Sequence, residues 1–108
     1  MESLEHLTAE QISFQLILHS GSARSKIIEA IRKYRQGSSE EAERLLNDAE
    51  KDLGQAHHIH FQMIQSEASG QQTEFSLLMI HAEDHLMSTL TMKELVKEIL
   101  DLFKARNI

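Results

Sequence analysis

The chain has 108 residues, no cysteine, no proline, four glycines and a net charge of −6. That length supports one core and hence a single domain over 1–108, and the missing cysteines exclude disulfides and thiolate metal sites. The acidic balance argues against nucleic acid, and no apolar run reaches the roughly 20 residues of a membrane span.

Helix-forming residues dominate and aromatics are few, which predicts an all-α protein. The acidic start, M-E-S-L-E-H, is unlike a targeting peptide, so a soluble cytoplasmic protein is expected. The first helix opens at Thr8, which forms a capping box with Gln11, and Leu7 and Ile12 supply a hydrophobic staple. Ile12, Leu16, His19, Ala23, Ile27, Ile31 and Tyr34 then recur with helical spacing. Ser20-Gly21-Ser22 interrupts this run as a candidate kink, and Gly37 supplies a left-handed stop after Gln36.

Ser38 with Glu41 reads as a second capping box. Behind it come Ala42, Leu45, Leu46, Ala49, Leu53, Ala56, Ile59, Met63 and Ile64. Glu40, Glu43, Arg44, Asp48, Lys51 and Asp52 read as a solvated outer face. The later part of this helix carries His57, His58 and His60, whose plainest role is a polar rim. His6 and His19 take the same plain reading. The helix runs out around Ala68 to Gly70, and a third helix is expected from about Thr73–Phe75 to about Ala105. Three long helices with two short connections predict an up-down-up antiparallel three-helix bundle.

The third helix is the unusual one. Within L-L-M-I-H-A-E-D-H-L-M-S-T-L-T-M (77–92), His81, Glu83, Asp84 and His85 stand among apolar residues. At about 100° per residue, Leu77, Leu78, Asp84, His85, Ser88, Met92, Leu95, Val96, Ile99, Leu102 and Phe103 lie within about 60° of His81. The opposite side is charged after Met92 but carries Met79, Ile80, Leu86, Met87 and Leu90 before it. A half-helix apolar on all sides is not covered by two partner helices, so a homo-oligomer is expected to cover it. An aspartate on a symmetry axis meets its own copies, and such carboxylates share either protons or a hard cation such as Mg²⁺.

His81, Asp84 and His85 stand at i, i+3 and i+4, within mutual reach. A neutral His81 can offer one ring nitrogen as a nucleophile while the other donates a hydrogen bond. The competing reading makes these histidines structural or pH-sensitive parts of a non-enzymatic helical interaction module. A third reading takes H-A-E-D-H as an inverted zinc-hydrolase motif, with His57 or His60 as the further ligand. A three-helix bundle offers that site little substrate pocket.

The segment 77–90, the stretch from Glu50 to His57, and G-S-A-R-S-K-I-I-E-A-I (21–31) together closely resemble the lactose/cellobiose-type IIA components of the bacterial sugar phosphotransferase system, across essentially the whole chain. The resemblance implies a cytoplasmic homotrimer of nine helices. Its members take a phosphoryl group from the phosphocarrier HPr and pass it to a cysteine of the cognate IIB component. The membrane IIC component then imports a β-linked disaccharide such as cellobiose, chitobiose or lactose. The family's phosphorylated histidine matches His81, its metal-binding aspartate Asp84, and its second histidine, a supporting group, His85. Where the family commonly has glutamine, this chain has Glu83, which the resemblance leaves without a role.

Overall fold

The computed structural model describes residues 7–72 and 76–108, as helices α1 (Ala9–Arg35), α2 (Ser39–Ala68) and α3 (Leu77–Ala105). Cross-helix bonds fix their directions. Lys33 meets Glu41, and Lys26 meets Asp52, so α1 and α2 are antiparallel. Ser13 touches Met79, and Arg24 touches Ser88 and Thr89, so α1 and α3 run parallel. Helix α1 packs along both neighbours, while α2 and α3 touch one another less. The result is the up-down-up three-helix bundle expected, 52 × 27 × 20 Å along its principal axes.

The buried positions follow a seven-residue rhythm. Leu16, Ser20, Ala23, Ile27 and Ala30 face inward from α1, and Ala42, Leu46, Ala49, Leu53, Ala56 and Met63 from α2. Met79, Ala82, Leu86, Thr89, Val96 and Leu100 do so from α3. Alternating steps of three and four give the coiled-coil seam, and the alanines let the helices approach closely. Leu16→Ala, at a site with no exposure, is expected to lower unfolding free energy by about 3 kcal/mol, measured by urea denaturation.

The ends show which local signals hold. The Thr8 hydroxyl accepts from the Gln11 N–H at 3.1 Å, and the Gln11 side-chain oxygen accepts from the Thr8 N–H at 2.9 Å, completing the box. All three helices stop in the same way. Gly37, Gly70 and Asn107 adopt φ of +88°, +97° and +58°. The N–H groups of Ser38, Gln71 and Ile108 reach back to the carbonyls of Lys33, Ser66 and Phe103.

Other local expectations meet mixed outcomes. Helix α1 is continuous through Ser20-Gly21-Ser22, where Leu16, Ser20 and Ala23 pack into the core. Ser38 caps α2 without a side-chain bond. Its N–H closes the end of α1, its ψ of 67° lies outside the extended region, and Glu41 is held by Lys33 and Arg44 instead. Helix α3 begins at Leu77, capped by Ser76, whose hydroxyl accepts from the Met79 N–H; the expected start at Thr73–Phe75 lies outside the described residues, as does His6. The face of α2 read as solvated is partly engaged, since Asp52 accepts from Lys26 at 2.7 Å and from Ser22 at 2.9 Å.

Burial opposes ionisation of Asp52, but the hydrogen bonds from Lys26 and Ser22 outweigh it and hold the carboxyl below its ordinary value. A lowered folded-state value stabilises the fold above the ordinary carboxyl range, and the contribution fades as pH falls through the lowered value. Asp52→Asn is therefore expected to cost about 1–2 kcal/mol at neutral pH. The gap from the parent should narrow in acid, as urea titrations at both pH values will show.

Candidate functional site

The bundle-facing seam of α3 runs through Met79, Ala82, Leu86, Thr89, Val96 and Leu100, rotated well away from His81. The stripe centred on His81 is thus divided. Val96 is buried and Phe103 packs against the core, whereas Leu77, Leu95, Ile99 and Leu102 point outward, Leu77 being 83 % exposed. His81 and Asp84 are exposed on this outer side, with Ile80 and Met87 also uncovered. The rotation follows from the seam period: Ala82 and Leu86 fit against α1 and α2, leaving the larger apolar side chains outside.

His81 and His85 lie edge to face, with ring centroids 6.0 Å apart and planes at 81°. A helical side chain leans toward the preceding turn, so the distal edge of His85 is carried toward His81. Of its two nitrogens, Nδ1 is buried and has no hydrogen-bond partner among the described residues. The carbonyl of His85 accepts from the hydroxyls of Thr89 and Ser88, at 2.7 and 3.3 Å. These two hydroxyls also accept from the Arg24 guanidinium of α1, at 3.2 and 2.8 Å. Arg24 was not singled out as a site residue from the sequence. Its only signal there is a cation among the small residues of S-G-S-A-R-S.

Glu83 leaves the outer face altogether. Its carboxylate accepts from His60 Nε2 of α2 at 2.7 Å, with the His60 side chain 11 % exposed. An ionised carboxylate only accepts, so the proton of this bond is on Nε2. The histidines of α2 therefore divide: His57 and His58 are exposed, and His60 turns into the α2–α3 seam without hydrogen-bonding His81. Glu83→Ala strands a largely buried imidazole and is expected to cost about 1–3 kcal/mol in urea denaturation. Glu83→Gln keeps an acceptor oxygen and should cost less than half of that.

Among the described residues, no three His, Cys, Asp or Glu of one chain gather as a metal site. The zinc-hydrolase arrangement thus finds no third ligand beside His81 and His85. Asp84 is exposed and makes no hydrogen bond or ion pair within the described residues. No helix of the described residues is long and apolar enough to cross a membrane.

Comparison with known proteins gives one family at every level. The model of the phosphotransferase-system lactose/cellobiose-specific IIA subunit matches residues 11–104. The oligo-β-mannoside-specific EIIA component of Bacillus subtilis is 66 % identical over 105 residues, covering 97 % of this chain and 96 % of that one. The lichenan-specific IIA component of the same organism is 48 % identical over 95 residues, covering 88 % and 86 %. Among solved structures, the cellobiose-specific enzyme IIA of Bacillus anthracis superposes with a TM-score of 0.86 at 48 % identity, covering 99 % of this chain and 94 % of that one. The chitobiose IIA of Escherichia coli, solved in complex with HPr, superposes with a TM-score of 0.75 at 28 % identity over the whole of both chains. A three-helix bundle presenting H-A-E-D-H on an open apolar face, matched along nearly its full length by these proteins, belongs to the lactose/cellobiose-specific IIA family of the sugar phosphotransferase system.

Proposed function

We propose that this protein is a cytoplasmic phosphohistidine carrier that takes a phosphoryl group from phospho-HPr on His81 and hands it to a cysteine of its cognate IIB component. The observation that carries this reading is the exposure of His81 in an apolar rim of Leu77 and Ile80, with the imidazole of His85 beside it at 6.0 Å and nearly perpendicular. The solved complex of a related IIA with HPr supports the choice of donor. Relatives named for oligo-β-mannoside, lichenan and lactose support a β-linked sugar as the cargo of the system. The IIA component itself does not meet the sugar, which the membrane IIC component carries.

Phosphoryl transfer needs positioning and charge stabilisation more than covalent assistance. A neutral ring nitrogen of His81 attacks phosphorus in line. A nitrogen–phosphorus bond forms on His81 as the bond to the HPr imidazole breaks, and the electron pair of that bond stays with HPr. In the second half-reaction a IIB thiolate attacks the same phosphorus, and the His81 imidazole is the leaving group. His81 lies beyond the first turn of α3, so the free N–H groups at the helix start do not reach the phosphoryl oxygens. A protonated ring nitrogen of His85 is the donor at hand.

The working form in this reading is a homotrimer, its copies packed through the outer face of α3. Asp84 of each copy then converges on the axis, and its carboxylate oxygens fit a hard divalent cation such as Mg²⁺. Such a cation supplies positive charge that offsets repulsion between the three carboxylates. The test of carrier function is intact mass after incubation with phosphoenolpyruvate, enzyme I and HPr. One acid-labile phosphoryl adduct per chain is expected, and no adduct would leave only an interaction module.

A further inference from the structure

Among the described residues, four buried side-chain atoms have no hydrogen-bond partner: Ser20 Oγ, Arg24 Nε, Gln62 Oε1 and His85 Nδ1. Three of the four belong to one stretch of the α1–α3 seam. Ser13 touches Met79, 66 positions on, and Arg24 touches Thr89, 65 positions on. This register sets Ser20 level with His85, also 65 positions on. Ser20 stands one turn before Arg24 and has no exposure, and His85 stands one turn before Thr89. The register thus sets a hydroxyl, a guanidinium N–H and an imidazole nitrogen in one stretch of the α1–α3 seam, none with a partner among the described residues.

Buried polar groups of this kind are costly unless joined, either directly or through a buried water with two to four polar partners. Their chemistry gives the link a direction. Arginine Nε only donates. The Ser20 hydroxyl has one proton to give, and it does not give it to a carbonyl of its own helix. The hydroxyl also accepts, and the link that uses both the Arg24 Nε proton and the Ser20 proton ends on His85 Nδ1 as the acceptor.

We propose that Ser20 and Arg24 are positioning residues that act through His85. They hold Nδ1 as an acceptor and so place the ring proton on Nε2, the distal nitrogen that donates to a phosphoryl group on His81. The Arg24 terminal nitrogen, bonded to Ser88 and Thr89, anchors the guanidinium, and Thr89 in turn is bonded to the His85 carbonyl. Helix α1 thereby sets the donor face of a site whose chemistry lies wholly on α3. This inference rests on the carrier reading above.

The test reads the tautomer in the unphosphorylated full-length protein, so it is independent of whether His81 is the phosphorylated residue. Long-range proton–nitrogen spectra of ¹⁵N-histidine-labelled protein, with His85 assigned by loss of its signal in His85→Gln, are expected to show Nδ1 unprotonated and Nε2 protonated. Ser20→Ala should give mixed tautomers at His85. It should also lower kcat for transfer from phospho-HPr about tenfold, the scale of outer partners to a reacting group, with KM unchanged. Ser20→Thr, which keeps a hydroxyl, should restore the single tautomer. Arg24→Lys, which removes the Nε–H, should mix the tautomers as Ser20→Ala does, and it guards against a serine variant that fails to fold. An Nδ1–H tautomer in the parent protein, or an unmixed Nε2–H tautomer in folded Ser20→Ala, overturns the proposal.

Discussion

His81→Gln should accept no phosphoryl group from phospho-HPr, a loss of order 10³-fold or more in transfer rate. Glutamine preserves much of the length and polarity of histidine but has no basic ring nitrogen, so the attacking electron pair is removed while the surface is nearly retained. His81 is exposed and is not hydrogen-bonded among the described residues, so the variant should fold and assemble as the parent does. That separates chemistry from structure: circular dichroism and light scattering should match the parent while the mass adduct disappears. His85→Gln tests the supporting role on the same scale. Loss of one donor to the transferring group should slow transfer by about 10²-fold without preventing a slow adduct at His81. An unchanged adduct in His81→Gln sinks the carrier assignment, and an unchanged rate in His85→Gln removes His85 from it.

What the sequence disclosed depended on the range of the interaction involved. Thr8 with Gln11 and the stop at Gly37 were readable because the groups that bond are three to five residues apart. Ser38 deceived for the same reason, because one residue closes α1 and opens α2, and the two tasks require different backbone angles. The facing of α3 was harder. With Met79, Ala82 and Leu86 on one side and Leu77, Leu95 and Ile99 on another, apolar periodicity alone fits two rotations. The seven-residue spacing of small and large side chains on all three helices decides between them. Pairings between helices stayed hidden. Glu83 looked like an unplaced charge until α2 brought His60 to it across 23 positions, and nothing near Arg24 in the chain pointed to Ser88, 64 positions on. The resemblance to the IIA family named His81, Asp84 and His85, but it pointed to nothing on α1 that supports them.

The outer face of α3 carries the second large effect, on assembly. Leu77, Ile80, Met87, Leu95, Ile99 and Leu102 are between 44 % and 83 % exposed along a helix of 29 residues, about 43 Å long. A stripe of that length, interrupted by His81, Asp84, Ser88, Thr91 and Glu98, is far larger than a lone chain ordinarily leaves to water. Light scattering at micromolar concentration is therefore expected to give three times the 12.4 kDa chain mass. Leu95→Asp with Ile99→Asp puts two unpaired charges per chain into the interface, each costing several kcal/mol, and should yield helical monomers. Asp84→Leu should do the reverse. It removes like charges from the axis, so the trimer should persist or tighten and its thermal midpoint should become insensitive to chelators. The parent's midpoint should fall when the divalent cation is removed, since whatever binds only the assembled state stabilises it by mass action. A parent protein that scatters as a monomer ends the trimer argument. If Asp84→Leu and the parent respond identically to chelator, Asp84 is not the metal ligand, and the interface then stands on its apolar residues alone.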